Sequence, residues 1–137
     1  MFIACSPQLN IEIATDRYLN IDKKAYYLEI LEPDEKSGEK EYLIGKISVI
    51  PNCSFWGDQE EQVINCYVCT ADEFEMYKSG QAPGECLFKI EQNSSITLPL
   101  VILDWSKEKK YYLIISNRFS SSPKIVHLFL IKIKGDL

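Results

Sequence analysis

The chain holds a single histidine, His127, and only six glycines in 137 residues. One imidazole cannot build a multi-histidine metal centre, and so few glycines leave no Gly-rich loop to cradle a phosphate. Positive charge is also short: 15 Lys and Arg against 20 Asp and Glu give a formal net charge of −5 and an isoelectric point near 4.9. That balance lacks the electrostatic footprint of a nucleic-acid binder, or of a protein that adheres to anionic lipid. No apolar run approaches the roughly 20 residues of a transmembrane helix. The opening Met1-Phe2-Ile3-Ala4-Cys5 has neither a basic n-region nor a long apolar h-region, so no secretory leader is read there. Five cysteines (Cys5, Cys53, Cys66, Cys69 and Cys86) are an odd number without such a leader, and the expectation is reduced thiols in a cytoplasmic protein.

What is present is strand-forming. The hydrophobic fraction is 46 %, with eight Tyr and six Phe, a mixture suited to pleated, half-buried surfaces. The length fits one domain with a single core. Apolar and polar residues alternate in 8–14, where Leu9, Ile11 and Ile13 oppose Asn10 and Glu12, a half-buried strand. Residues 16–22 read as a turn. Further strands are read at 24–31, 42–50, 63–70, 86–91 and 95–103. Gly45 marks a bulge or a close backbone approach, and Pro99 an edge or a break in its strand. The charged stretch 32–41, with Pro33, Asp34, Ser37 and Gly38, reads as an exposed hairpin turn rather than an acidic docking tip.

One helix is expected. Thr70-Ala71-Asp72-Glu73 fits a capping box, in which the Thr hydroxyl and the Glu carboxylate each take a backbone N–H of the other residue. Gly80 suits the C-terminal stop. A helix near 71–79 of about two turns follows, too short to stand without packing; Phe74 and Tyr77 form its packed side.

Residues 110–134 hold two strongly apolar runs, YYLIIS and IVHLFLIKIK, joined by a polar turn. In the second, Ile131 and Ile133 alternate with Lys132 and Lys134, an apolar face against a solvated one. Asn117 can bond its local backbone and tolerate a left-handed conformation, and Ser120, Ser121 and Ser122 can satisfy loop amides. Asn117-Arg118-Phe119-Ser120, then Lys124 and Val126, give the pattern N-x-F-S-x-x-x-K-x-V after Tyr111-Tyr112-Leu113-Ile114-Ile115-Ser116. This resembles the closing strands of GOLD domains, the β-sandwich module of early-secretory-pathway cargo receptors and some lipid-associated adaptors. The resemblance covers about 25 residues and implies a seven- to eight-stranded sandwich used for protein interaction. The receptors also carry a membrane anchor and a coiled-coil segment, which are not read in these residues. The expectation is therefore a free-standing GOLD-like module, or one used by another system.

Together these readings give a single all-β, jelly-roll-like sandwich of about eight strands spanning 1–137. Several side chains invite a site. Cys66-x-x-Cys69 has zinc-ligand spacing, but three residues apart on a strand the two thiols point to opposite faces, so small buried hydrophobes are expected. A Cys–His127 nucleophile pair has no supporting motif. The carboxylate pairs Glu60–Glu61 and Asp72–Glu73 lie on turns or a helix start, where acids are ordinary. No metal, cofactor or catalytic residue is assigned. The aromatic pair Phe55 and Trp56, beside Asp58 in the long loop 51–62, and Trp105 in the turn before the last strands, are the candidate partner-binding residues. The function expected is a non-enzymatic protein-interaction module, an adaptor or an accessory subunit of a larger assembly. The alternative is a small-ligand sandwich for carbohydrate or lipid using the same rings. The partner is another protein, without nucleic acid and without an integral membrane segment.

Overall fold

The alternating runs become two four-stranded antiparallel sheets in the computed structural model, which describes residues 10–33, 41–51, 62–103 and 110–135. The strands are β1 (Asn10–Ile21), β2 (Tyr26–Leu31), β3 (Glu41–Ile50), β4 (Ile64–Cys69), β5 (Phe88–Asn93), β6 (Ser95–Leu103), β7 (Tyr111–Ser116) and β8 (Lys124–Lys134); helix α1 (Ala71–Lys78) lies between β4 and β5. One sheet has the order β1-β8-β3-β6 and the other β2-β7-β4-β5. Among consecutive strands only β4 and β5 share a sheet, and α1 joins them; every other link crosses from one sheet to the other. This is the jelly-roll arrangement of interleaved Greek keys, the fold class expected from the sequence.

The topology corrects one local reading. The link between β2 and β3 is not a hairpin, because the two strands lie in different sheets. The two closing strands part company in the same way: β7 is central in one sheet and β8 in the other. Between them Asn117 is fully buried and does more than close a turn. Its side-chain amide donates to the carbonyls of Ile21 (3.3 Å), Asp22 (3.1 Å) and Ser122 (2.7 Å), and its backbone N–H donates to Ala25 O (2.9 Å). It ties the β1–β2 turn to the β7–β8 turn. The left-handed residue is Lys24 in the first turn, at φ 62°, rather than Asn117. The serines act as expected, with Ser120 Oγ accepting from Ser122 N–H at 3.1 Å.

The core between the sheets takes one face of each strand: Val126, Leu128 and Leu130 from β8, Leu43, Ile47 and Val49 from β3, Leu113 and Ile115 from β7, and Ile64, Cys66 and Val68 from β4. Gly45 is a close approach. A Cβ there would lie 2.6 Å from both Leu130 Cδ2 and Phe129 O. The β3–β6 register also shifts beside it, with Pro99 and Leu100 crowded opposite Ile44. Pro99 thus occupies a bulge on an edge strand, where its missing N–H costs least.

The outer side of the second sheet is roofed by α1. Phe74 and Tyr77 pack on Tyr67, Cys69 and Ile114, with Tyr26, Leu28, Tyr112 and Cys86 around them. Tyr26 meets Tyr77 edge-on at 5.1 Å, and Phe74 meets Tyr112 at 5.3 Å, geometry that suits ring quadrupoles. The helix ends in a Schellman motif, with Gln81 N–H donating to Met76 O and Gly80 N–H to Tyr77 O, and Gly80 at φ 100°. The capping box does not form. Thr70 makes no side-chain cap, and Glu73 Oε2 instead accepts from the N–H groups of Gly84 (2.9 Å) and Glu85 (3.3 Å). The chain returning toward β5 competes for that carboxylate and wins two donors, where the cap would supply one.

Candidate interaction surface

The outer side of the β1-β8-β3-β6 sheet is built differently. Side chains alternate faces along a strand, so the core positions Val126, Leu128 and Leu130 fix the rest of β8. No register shift interrupts its pairing with β3. Ile125, His127, Phe129, Ile131 and Ile133 therefore point away from the core. Strand β1 reaches the same result by a bulge. Ile13 pairs with Ile131 but Thr15 with Leu130, leaving Ala14 as the extra residue. Leu19 and Ile21 face the core; without the bulge Ile13 and Ile11 would face it too. The bulge turns both outward, in line with Ile131 and Ile133.

The registers assemble two apolar rows. Ile11, Ile133, Tyr42 and Ile102 stand abreast across all four strands. Ile13, Ile131 and Ile44 form the next row, with Leu100 from the β6 bulge beside them. Phe129 follows, flanked by Asp16 and Lys46, and beyond it the face becomes more polar, with Tyr18, His127, Ser48 and Ser95 abreast. Ile11 is 66 % exposed, Ile13 64 %, Ile102 52 % and Leu100 46 %. Two sequence readings are overturned here. Ile11 and Ile13 are not a half-buried face, and residues 16–21 are strand rather than turn, paired with β8 as far as Ile21↔Lys124.

The charges of β8 go the other way. Lys132 and Lys134, expected on the solvated face, lie on the inner side at the end of the sandwich. Lys132 Nζ is 3.6 Å from the carboxylate of Glu41, which is 0 % exposed, and Lys134 Nζ is 3.4 Å from Glu12. Putting charge inward and isoleucine outward opposes the usual partition, since burying a charged pair carries a desolvation cost. The parity set by residues 126–130 enforces it.

A cleft of about 610 Å³ opens at that same end, between the sheets. Leu31, Leu43, Leu103 and Leu130 lie beneath it, and Thr15, Glu29, Glu32, Lys110 and Lys132 surround them. Glu29 accepts from Thr15 Oγ1 (3.1 Å) and Tyr27 Oη (3.0 Å) and pairs with Arg17 at 3.4 Å; Glu32 pairs with Lys110 at 3.6 Å. None of the four leucines is more than 4 % exposed, so among the lining residues the large apolar side chain open to a ligand is Ile30, at 49 %. The exposed sheet face offers far more.

Cys66 and Cys69 divide as a strand requires: Cys66 belongs to the core between the sheets and Cys69 to the layer under α1. Burial pushes the Cys69 thiol up to about 12, and burial raises Cys66 further still. His127 lies across the molecule, stacked on Tyr18 at 4.7 Å and 2.7 Å from Asp16 Oδ1. Among the described residues no group of three His, Cys, Asp or Glu side chains could hold a metal ion, and no helix is long and apolar enough to cross a membrane. Phe55, Trp56, Asp58 and Trp105 lie outside the described residues, as do Cys5 and Cys53. No family model matches the chain, and no curated protein matches it by sequence. The residues of this face that sequence reasoning missed are Ile44, Leu100 and Ile102, with Tyr42 buried at 8 % exposure in the middle of the first row, together with the outward aim of Ile11, Ile13, Ile131 and Ile133. One signal was available: IVHLFLI in β8 is apolar on both faces, one more than a half-solvated sheet uses.

Proposed function

We propose that the protein is a non-enzymatic interaction module whose working surface is the outer side of the β1-β8-β3-β6 sheet. The observation that carries this is the pair of apolar rows running across the sheet, aimed outward by the bulge at Ala14. Bulges re-aim side chains, and contiguous exposed apolar surface on a soluble protein marks a place where something docks. The likeness of residues 110–134 to GOLD domains supports the same reading. Phe55 and Trp56 are a second candidate anchor on sequence grounds alone.

The test is comparative capture of partners by the wild type, by Ile13→Lys with Ile102→Lys, by Phe55→Ala with Trp56→Ala, and by Met76→Lys on the opposite side. The sheet-face pair is expected to lose the wild-type partner while Met76→Lys keeps it. Equal capture by all four would refute the assignment. The cleft supports a second reading, a small carbohydrate or lipid ligand. Saturable binding on a glycan array or co-flotation with liposomes, lost in Lys132→Glu, would favour it.

A further inference from the structure

We infer that the occupant of this face is a second copy of the chain, so that two β1-β8-β3-β6 sheets pack face to face about a twofold axis. The inference rests on the reading of that face as an interface, and three features select a like partner. First, the two outermost rows, Ile11–Ile133–Tyr42–Ile102 and Ile13–Ile131–Ile44, contain no charged side chain. Apposing the patch to itself brings no like charges together and strips water from no ion, which is what a self-complementary contact requires. Lysines 132 and 134, the charges that would spoil it, are held on the inner side by Glu41 and Glu12. Second, the exposed apolar surface is on the order of 500 Å² per copy, the upper end of what monomers leave bare, and two copies would bury about 1,000 Å², where specific interfaces begin. Third, one row crosses all four strands in register and the other three, with Leu100 beside it from the bulge, so the contact has the form of the sheet-on-sheet packing already used inside the molecule.

An apolar contact between two copies of net charge −5 has a signature of its own. Salt screens the repulsion between copies, so association tightens as ionic strength rises, whereas a contact made by opposite charges weakens. Equilibrium sedimentation of the full chain from about 1 to 300 µM is expected to show a dimer with a micromolar dissociation constant, tightening with added NaCl. Ile13→Lys and Ile102→Lys, each burying an unpaired ammonium, are expected to raise that constant at least about 100-fold, with the β-sheet circular dichroism retained. Ile13→Leu and Met76→Lys should dimerise as the wild type does. A wild type that stays monomeric throughout overturns the dimer while leaving the interaction module to stand or fall on partner capture. A dimer that survives both lysine substitutions, or that dissociates as salt is added, also overturns it.

Discussion

The two outer faces of this sandwich solve the same problem in opposite ways. The β2-β7-β4-β5 sheet turns Tyr26, Leu28, Tyr67, Cys69, Tyr112 and Ile114 outward and covers them with its own helix, through Phe74 and Tyr77. The β1-β8-β3-β6 sheet turns out an equally apolar set, yet Ile11 and Ile13 keep about two-thirds of their surface in water. Of the two faces, only one has a cover in the described chain. An apolar face that must be covered locally draws on ring packing and caps, as α1 does; a face left open in two straight rows is shaped for something flat.

The largest expected effect lies on the covered face. Tyr77→Ala removes the ring that Tyr26, Tyr67 and Arg118 pack against, and it also removes the hydroxyl bonded to Ser116. A loss of about 3–5 kcal/mol is expected from urea unfolding. A loss below about 1 kcal/mol would mean the helix is an ornament rather than a roof. Next comes the close approach at the centre of the open sheet. Gly45→Ala places a methyl group against the backbone carbonyl of Phe129 as well as the Leu130 side chain. A cost of about 1–3 kcal/mol in the same assay is expected.

The third prediction uses the acids buried on β4 and α1. Burial raises the Cys66, Cys69, Tyr67 and Tyr77 groups, and the Glu91 carboxylate adds to the rise for Tyr67. A group held protonated by the fold binds more protons folded than unfolded, so its contribution is complete below the unfolded value and is lost as pH climbs past it. Unfolded thiols and phenols titrate at about 8.5–10. The urea midpoint is therefore expected to fall steadily above pH ~9, and Cys66 and Cys69 should resist thiol reagents until the protein unfolds. A flat profile to pH ~11 would contradict the burial on this side.

The smallest effect belongs to the open face and sharpens the contrast most. Ile13→Lys and Ile102→Lys should each change the stability of the isolated subunit by no more than about 0.5 kcal/mol, measured by thermal melting at low concentration. If either costs several kcal/mol, the face is part of the fold and the difference between the two sides disappears.

Much of the architecture was legible in the chain. Apolar runs bounded by turn residues located seven of the eight strands closely, the short helix fell at Ala71–Lys78, Gly45 marked a close backbone approach, and Pro99 an edge strand. Local chemistry sufficed because each of those signals acts within a few residues. The misread cases share a cause. Glu73 has the right spacing for a capping box, but Gly84 and Glu85 arrive from elsewhere in the chain and take its carboxylate. Asn117 looks like a turn residue, and its amide reaches Ile21 and Asp22, almost a hundred residues away in sequence.

The candidate surface was less legible, for a reason of symmetry. In KIVHLFLIKIK both faces of the strand are apolar over most of its length, so alternation alone cannot say which one meets the core. Ile131 and Ile133 beside Lys132 and Lys134 invite the ordinary choice, isoleucine inward. Local chemistry was enough to specify strands and a short helix after Thr70. Which face of each strand is buried was settled by the assembled sheets. That choice is set by long-range register: the pairing of β8 with β3 carries the parity of Val126 through to Lys134, and one extra residue at Ala14 brings β1 into line with it.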